Sequence, residues 1–143
     1  MNDGLCVGLG VAEWVAERIG APCPHDSVGI GWARGGQIVM GAMFNGYNGA
    51  SIQMHLAVLP GHGMARQWVW AMMDYAFCQA KVRRITGLIA EKNERSKRFA
   101  EHLGARCEGI LKDALPDGNL MVYGLLKNDA KKWLTAGFQR ILR

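Results

Sequence analysis

The most constraining stretch of this chain is Ala50–Gly63, where a strictly alternating segment runs straight into a proline and two glycines. Ala50, Ile52, Met54, Leu56 and Val58 are apolar, and Ser51, Gln53 and His55 stand between them. A period of two is the signature of a strand, and it places those three polar groups together on one face. Leu59-Pro60-Gly61-His62-Gly63 ends the strand, and from about Met64 to Ala80 the apolar residues Trp68, Ala71, Met72, Tyr75 and Cys78 return at helical spacing. A strand that enters a helix through a short glycine turn leaves unpaired backbone N–H groups at the positive end of the helix dipole. Taken alone, the turn fits two readings. It is either a tight connection or an anion site over Gly61–Arg66, with small residues where a phosphate needs backbone access and Arg66 in the first helical turn. It lacks the Gly-Lys-Ser/Thr ending of a P-loop and the Gly-x-Gly-x-x-Gly spacing of a dinucleotide site.

The segments around this unit build a mixed sheet with helices packed on it. Val11, Trp14, Val15 and Ile19 recur at helical spacing and are stopped by Gly20, Pro22 and Pro24. Strands are expected over Val28–Ala33 and Gln37–Phe44, joined at Gly35-Gly36 as a hairpin. A short strand over Ile85–Ala90 follows the long helix, and then a helix opens at Asn93, a good N-cap residue, and closes at Gly104. Arg106–Leu115 and Leu120–Lys127 flank Pro116-Asp117-Gly118, which is strong turn chemistry. The tail from Asp129 to Arg143 reads as a terminal helix. With 143 residues, the chain has room for one domain over residues 1–143.

Charge narrows the partner only slightly. Lys and Arg outnumber Asp and Glu to give a formal +5, which favours an anionic partner without naming it. Lys81, Arg83, Arg84, Lys92, Arg95, Lys97 and Arg98 concentrate that charge. A solvated face and an anion-binding face both fit such a run. The five tryptophans are scattered and do not interleave with the basic residues as a single-strand binder requires, so nucleic acid is not the expected partner. Cys6, Cys23, Cys78 and Cys107 form no Cys-x-x-Cys pair, and the histidines have no ligand spacing, which points to free thiols and no metal site. The first residues lack the basic region of a secretory signal, and no apolar run reaches the roughly 18 residues of a membrane span. A soluble, cytoplasmic protein is expected.

Asn93-Glu-Arg-Ser96-Lys-Arg-Phe99-Ala-Glu-His-Leu103-Gly104-Ala105 resembles the Asn-x-x-Ser/Ala…Leu-Gly-Phe signature of the GNAT acetyltransferases. The Gly61–Arg66 turn is similar to that family's pyrophosphate loop, with Gly63-Met64-Ala65 as its Gly-x-Ala. In element order the resemblance spans about Ser27 to Lys127, although only Asn93–Gly109 carries it at residue level. The short chain is also similar to acetyltransferase-like proteins encoded by bacteriophages. The resemblance implies an α/β (α+β) fold with a mixed, mostly antiparallel central sheet flanked by helices. It further implies acetyl-CoA as co-substrate, an amine acceptor, and direct attack of the amine on the thioester. Homodimers are common in the family, and the apolar C-terminal segment is the candidate surface here.

The resemblance assigns the cofactor to the N–H groups of His62, Gly63, Met64 and Ala65, with Arg66, to main-chain groups at Ala57 and Val58, to the Asn93 side chain, and to Ser96 and Lys97 near the nucleotide end. A base is needed because an amine arrives as ammonium, and His55 is the candidate because it lies on the polar strand face and titrates in the right range. Departures from the family pattern are equally specific. Pro60 stands where the loop carries Arg or Gln, Ala105 replaces an aromatic, and Ala100 replaces the tyrosine that protonates the leaving thiolate. Tyr123 and Tyr75 are candidate substitutes, each with the alternative of a core aromatic.

Overall fold

The computed structural model describes residues 2–134. Seven strands, β1 (Gly4–Val7), β2 (Val28–Arg34), β3 (Gln37–Asn45), β4 (Ser51–Val58), β5 (Arg84–Ala90), β6 (Arg106–Leu115) and β7 (Gly118–Leu126), form one sheet in the order β1-β2-β3-β4-β5-β7-β6. Every neighbouring pair is antiparallel except β4 and β5. The helices are α1 (Leu9–Ile19), α2 (Arg66–Asp74) and α3 (Glu94–Leu103). This is the mostly antiparallel mixed sheet flanked by helices that the resemblance implies.

α1 lies on one face of the sheet and buries Val11, Ala12, Val15 and Ala16. It sits unusually close to the strands because Gly29, Gly31 and Gly41 leave the sheet bare beneath it. A Cβ at Gly41 would come within 2.8 Å of Val15 Cγ2, one at Gly31 within 2.9 Å of Val11 Cγ1, and one at Gly29 would overlap the backbone nitrogen of Ala12. Gly31 and Gly41 are direct partners across β2 and β3, so the bare patch is continuous.

α2 and α3 cover the opposite face, over a core that includes Phe44, Met40, Met72, Phe77 and Ile85. Trp68 is fully buried there, and its indole N–H donates to the Ile30 carbonyl at 2.9 Å, which fixes α2 across β2. The helix expected from Met64 to Ala80 starts two residues later, at Arg66, and its last turn widens into a π-helix over Tyr75–Gln79. The short edge strand β1 falls where no strand is expected, because four residues carry too little alternation to register. The tail turns through a 3-10 segment, Lys127–Ala130, and residues 131–134 are helical. Trp133 Nε1 donates to the Leu103 carbonyl at 3.0 Å and so satisfies the end of α3. The remainder of the expected terminal helix lies outside the described residues.

The pairing of β4 with β5 lasts for only three residues, Ser51 with Arg84, Ile52 with Ile85 and Gln53 with Thr86. Beyond them each strand follows its antiparallel partner, β4 beside β3 as far as Val58 and β5 beside β7 as far as Ala90. The two strands therefore part and leave a cleft through the sheet.

The glycine patch makes a direct prediction. Gly41→Val should lower stability by about 1–3 kcal/mol through overpacking against Val15. Gly10→Ala, where nothing approaches within 4 Å, should leave stability unchanged or raise it by about 0.5–1 kcal/mol. Urea unfolding of the two variants beside the parent protein measures both.

Candidate active site

The parted strands expose main-chain groups that have no partner in the sheet. In an antiparallel pair a residue's N–H and C=O point to the same side, and successive residues alternate sides. Leu59 N–H donates to Val39 O at 2.8 Å, so β4 turns its odd-numbered residues to β3 and its even-numbered ones to β5, and beyond the last bridge at Gln53 the groups of Leu56 and Val58 face the cleft. On the other wall Lys127 N–H donates to Arg83 O at 3.1 Å and Glu91 N–H to Asn119 O at 3.0 Å. By the same alternation Leu88 and Ala90 face the opening from β5. Val58 thus turns its main chain to the cleft, whereas Ala57 is paired with Gly41 and turns its side chain toward α1.

The cleft has a volume of about 490 Å³ and is lined by His55 and Leu56 of β4, Leu88 of β5, Ser96 and Ala100 of α3, and Tyr123 of β7. It continues into a groove of about 630 Å³ that passes Val58, His62 and Met64 to Arg95 and Arg98. Asn93 and Ser96 line both parts, because the start of α3 stands at their junction. Asn93 caps that helix, its Oδ1 accepting the Ser96 N–H at 3.2 Å. Gly104 ends the helix in the left-handed region at φ 109°, with the Asp129 carbonyl 2.6 Å from where a Cβ would stand.

The glycine turn is held from both sides by arginines. Arg34, the last residue of β2, points one guanidinium N–H at His62 Nδ1 at 3.1 Å and another at the Gly63 carbonyl at 3.2 Å. Arg95 reaches the His62 carbonyl at 3.4 Å. With Arg34 donating to Nδ1, the proton of a neutral His62 ring is on Nε2, which makes that nitrogen a donor. Gly61 takes φ 83°, which lets the chain turn sharply after Pro60. Ala65 is the N-cap residue, and Trp68 and Val69 both donate to its carbonyl. The N–H groups of Ala65, Arg66 and Gln67 are then the ones without a helical acceptor.

Four of the expected site residues, Gly63, Ala65, Arg66 and Lys97, line neither the cleft nor the groove. Lys97 turns away to pair with Glu94 at 2.9 Å, and the pair raises the lysine pKa and lowers that of the carboxyl. The Arg66 side chain is exposed at the start of α2 and lines neither the cleft nor the groove.

His55 and Tyr123 reach the cleft from opposite faces of the sheet. His55 shares the α1 side with Ala57, and its Nε2 lies 3.4 Å from the Oδ1 of buried Asn45. Burial pushes its pKa below histidine's ordinary range, so the ring is neutral at pH 7. Tyr123 is buried on the α3 side and donates to Glu101 Oε1 at 3.3 Å. Burial, and after it the Glu101 charge, push the phenol pKa upward, so it keeps its proton at neutral pH. Tyr75 instead packs its ring against Phe44, with centroids 5.1 Å apart, and does not line the cleft.

A family model described as an acetyltransferase (GNAT) domain matches residues 11–106, about two thirds of the chain. The chain belongs to the GNAT acetyltransferase family. Its fold is similar to that of mutant forms of the spermidine/spermine N-acetyltransferase SpeG from Vibrio cholerae, with a TM-score of 0.73 and 13% identity over 92% of this chain and 98% of that one. It is also similar to the spermidine N-acetyltransferase from Vibrio cholerae solved with CoA and spermine, with a TM-score of 0.66 and 16% identity over 83% of this chain and 75% of that one. No curated protein matches the sequence.

Arg34 is the residue that sequence reasoning missed. Twenty-eight positions separate it from His62, and only the sheet order brings them together. Arg34→Ala removes both of its contacts to the turn and should weaken acetyl-CoA binding about tenfold. Isothermal titration calorimetry checks this, with kcat expected to change far less than KM.

Proposed function

We propose that the chain moves the acetyl group of acetyl-CoA to a primary amine by direct attack within a ternary complex. The observation that carries this reading is the parted edge of β4, where the N–H and C=O groups of Leu56 and Val58, beyond the last bridge to β5, run toward the arginine-clamped glycine turn. A pantetheine arm carries two amides and can pair with such an edge as an added strand would. The turn then receives the pyrophosphate on N–H groups at His62–Arg66 and on His62 Nε2. The Arg95 and Arg98 side chains flank the groove where the nucleotide end would rest. Family membership fits this reading, as does the binding of CoA by the Vibrio cholerae neighbour.

In the reaction the amine nitrogen bonds to the thioester carbon and the carbon–sulfur bond breaks. The ammonium must first lose a proton, and neutral His55 accepts it directly or through one water. The developing oxyanion takes an N–H of the open β4 edge, and a donor held in place is worth more there than in bulk solvent. Ala100 carries no acid, so the proton of the departing thiolate comes from Tyr123 or from solvent. With a raised pKa the phenol is protonated when needed, which is the state a general acid requires.

The sign of the pH dependence follows from His55. A lowered pKa means that the inactive imidazolium forms only in acid, so kcat/KM should rise with pH through a value below histidine's ordinary range and then level off. His55→Ala should cut kcat/KM by about 10²-fold or more and abolish that acidic limb. Following thiol release with a panel of amines from about pH 4 to 9, a range that reaches below the ordinary histidine pKa, tests it. An unchanged profile in the variant removes His55 from the role of base. Acetyl-CoA binding without thiol release from any amine would point instead to a CoA-binding protein without turnover.

A further inference from the structure

The walls of the cleft define the charge that the acceptor carries. All twelve carboxylate side chains of the sequence lie between Asp3 and Asp129, within the described residues, and none lines the cleft or the groove. Three of them are already engaged. Glu108 holds Arg84 with both oxygens at 2.7 and 2.9 Å, Glu94 holds Lys97, and Glu101 accepts from Tyr123. Among the described residues, the charged side chain that lines both cleft and groove is Arg18, and Arg95 and Arg98 line the groove alone. Arg18 stands at the mouth beside the end of α1 and belongs to both cavities. It is fixed by an N–H to the Trp14 carbonyl at 3.2 Å and by stacking at 4.0 Å over the Trp14 ring. The rest of the cleft lining is mainly apolar, Ile19, Leu56, Leu88 and Leu120 among it.

Such walls act on an amine in two ways. An ammonium beside Arg18 and among apolar side chains is less stable than in water, so its proton leaves more easily and the single reacting nitrogen arrives close to its neutral form. A second, non-reacting ammonium has to stay charged, and it would enter the same field without a counter-ion. We propose that the acceptor is a monoamine with an apolar body whose far end is neutral or anionic, that Arg18 reads that end, and that the cleft refuses a second ammonium. This rests on the acetyl-transfer reading given above and specifies its acceptor.

The test uses amines of equal alkyl length that differ only at the far end: an n-alkylamine, the corresponding ω-amino acid and the corresponding diamine. With acetyl-CoA saturating, kcat/KM should fall in the order carboxylate, methyl, ammonium, with at least about tenfold between the first and the last. Raising salt should bring the two charged members toward the methyl one by screening. Arg18→Glu should reverse the order of the charged pair, and acetyl-CoA affinity measured by calorimetry on the same variant separates this effect from any loss of cofactor. A diamine used as well as the methyl-ended amine by the parent protein overturns the proposal while leaving acetyl transfer intact. A charged-pair ratio that Arg18→Glu does not move overturns the role of Arg18. Absence of acetyl-CoA binding, or of thiol release with every member, overturns the acetyl-transfer reading and the acceptor assignment with it.

Discussion

The architecture depends on a parallel strand pair that stops after three residues. Backbone groups in a sheet interior normally find partners, and leaving a row of them unpaired is costly unless water or a ligand completes them. β4 and β5 can part because each is held through the parted stretch by an antiparallel neighbour, β3 on one side and β7 on the other. The break therefore costs little stability and creates two facing edges inside the fold. α3 stands over the opening, and its capping residue, Asn93, marks the point where cleft and groove meet.

The opposite face shows how the sheet is stiffened beside this break. α1 descends onto Gly29, Gly31 and Gly41, and its contacts run from β2 across β3 to the Ala57 side chain on β4. With no Cβ between helix and sheet, Val11 and Val15 pack directly on backbone. His55 lies on the same face, two residues from Ala57, so the candidate base is carried on the strand that α1 clamps. The Trp68–Ile30 hydrogen bond does the corresponding work from the α2 side.

What could be read from the sequence divides along the range of the interaction. The alternation of Ala50–Val58, the Gly35-Gly36 hairpin, the Asn93 cap and the Gly104 stop were legible because each is decided within a few residues. The glycines beneath α1 carry no turn chemistry, and nothing in their neighbourhood tells that a helix will arrive from another part of the chain. Arg34 looks like an ordinary strand end until the loop at His62 folds against it. Lys97 was misplaced for the opposite reason. Its sequence position next to Ser96 suggested the groove, but one step along a helix turns a side chain by about 100°, and Glu94 one turn back captured it. The widening of α2 over Tyr75–Gln79 leaves a helical pattern that periodicity cannot tell from an ordinary turn.

Asn93 has a chemical handedness that follows from its cap. A side-chain amide has an accepting oxygen and a donating nitrogen, and here the oxygen is directed into the helix by the Ser96 N–H. The NH₂ group is left free of the cap and donates, while the oxygen keeps only its second lone pair. At this one position the protein therefore addresses a carbonyl oxygen more readily than an N–H. A molecule threading from groove to cleft would be sorted by the direction in which its own amides run.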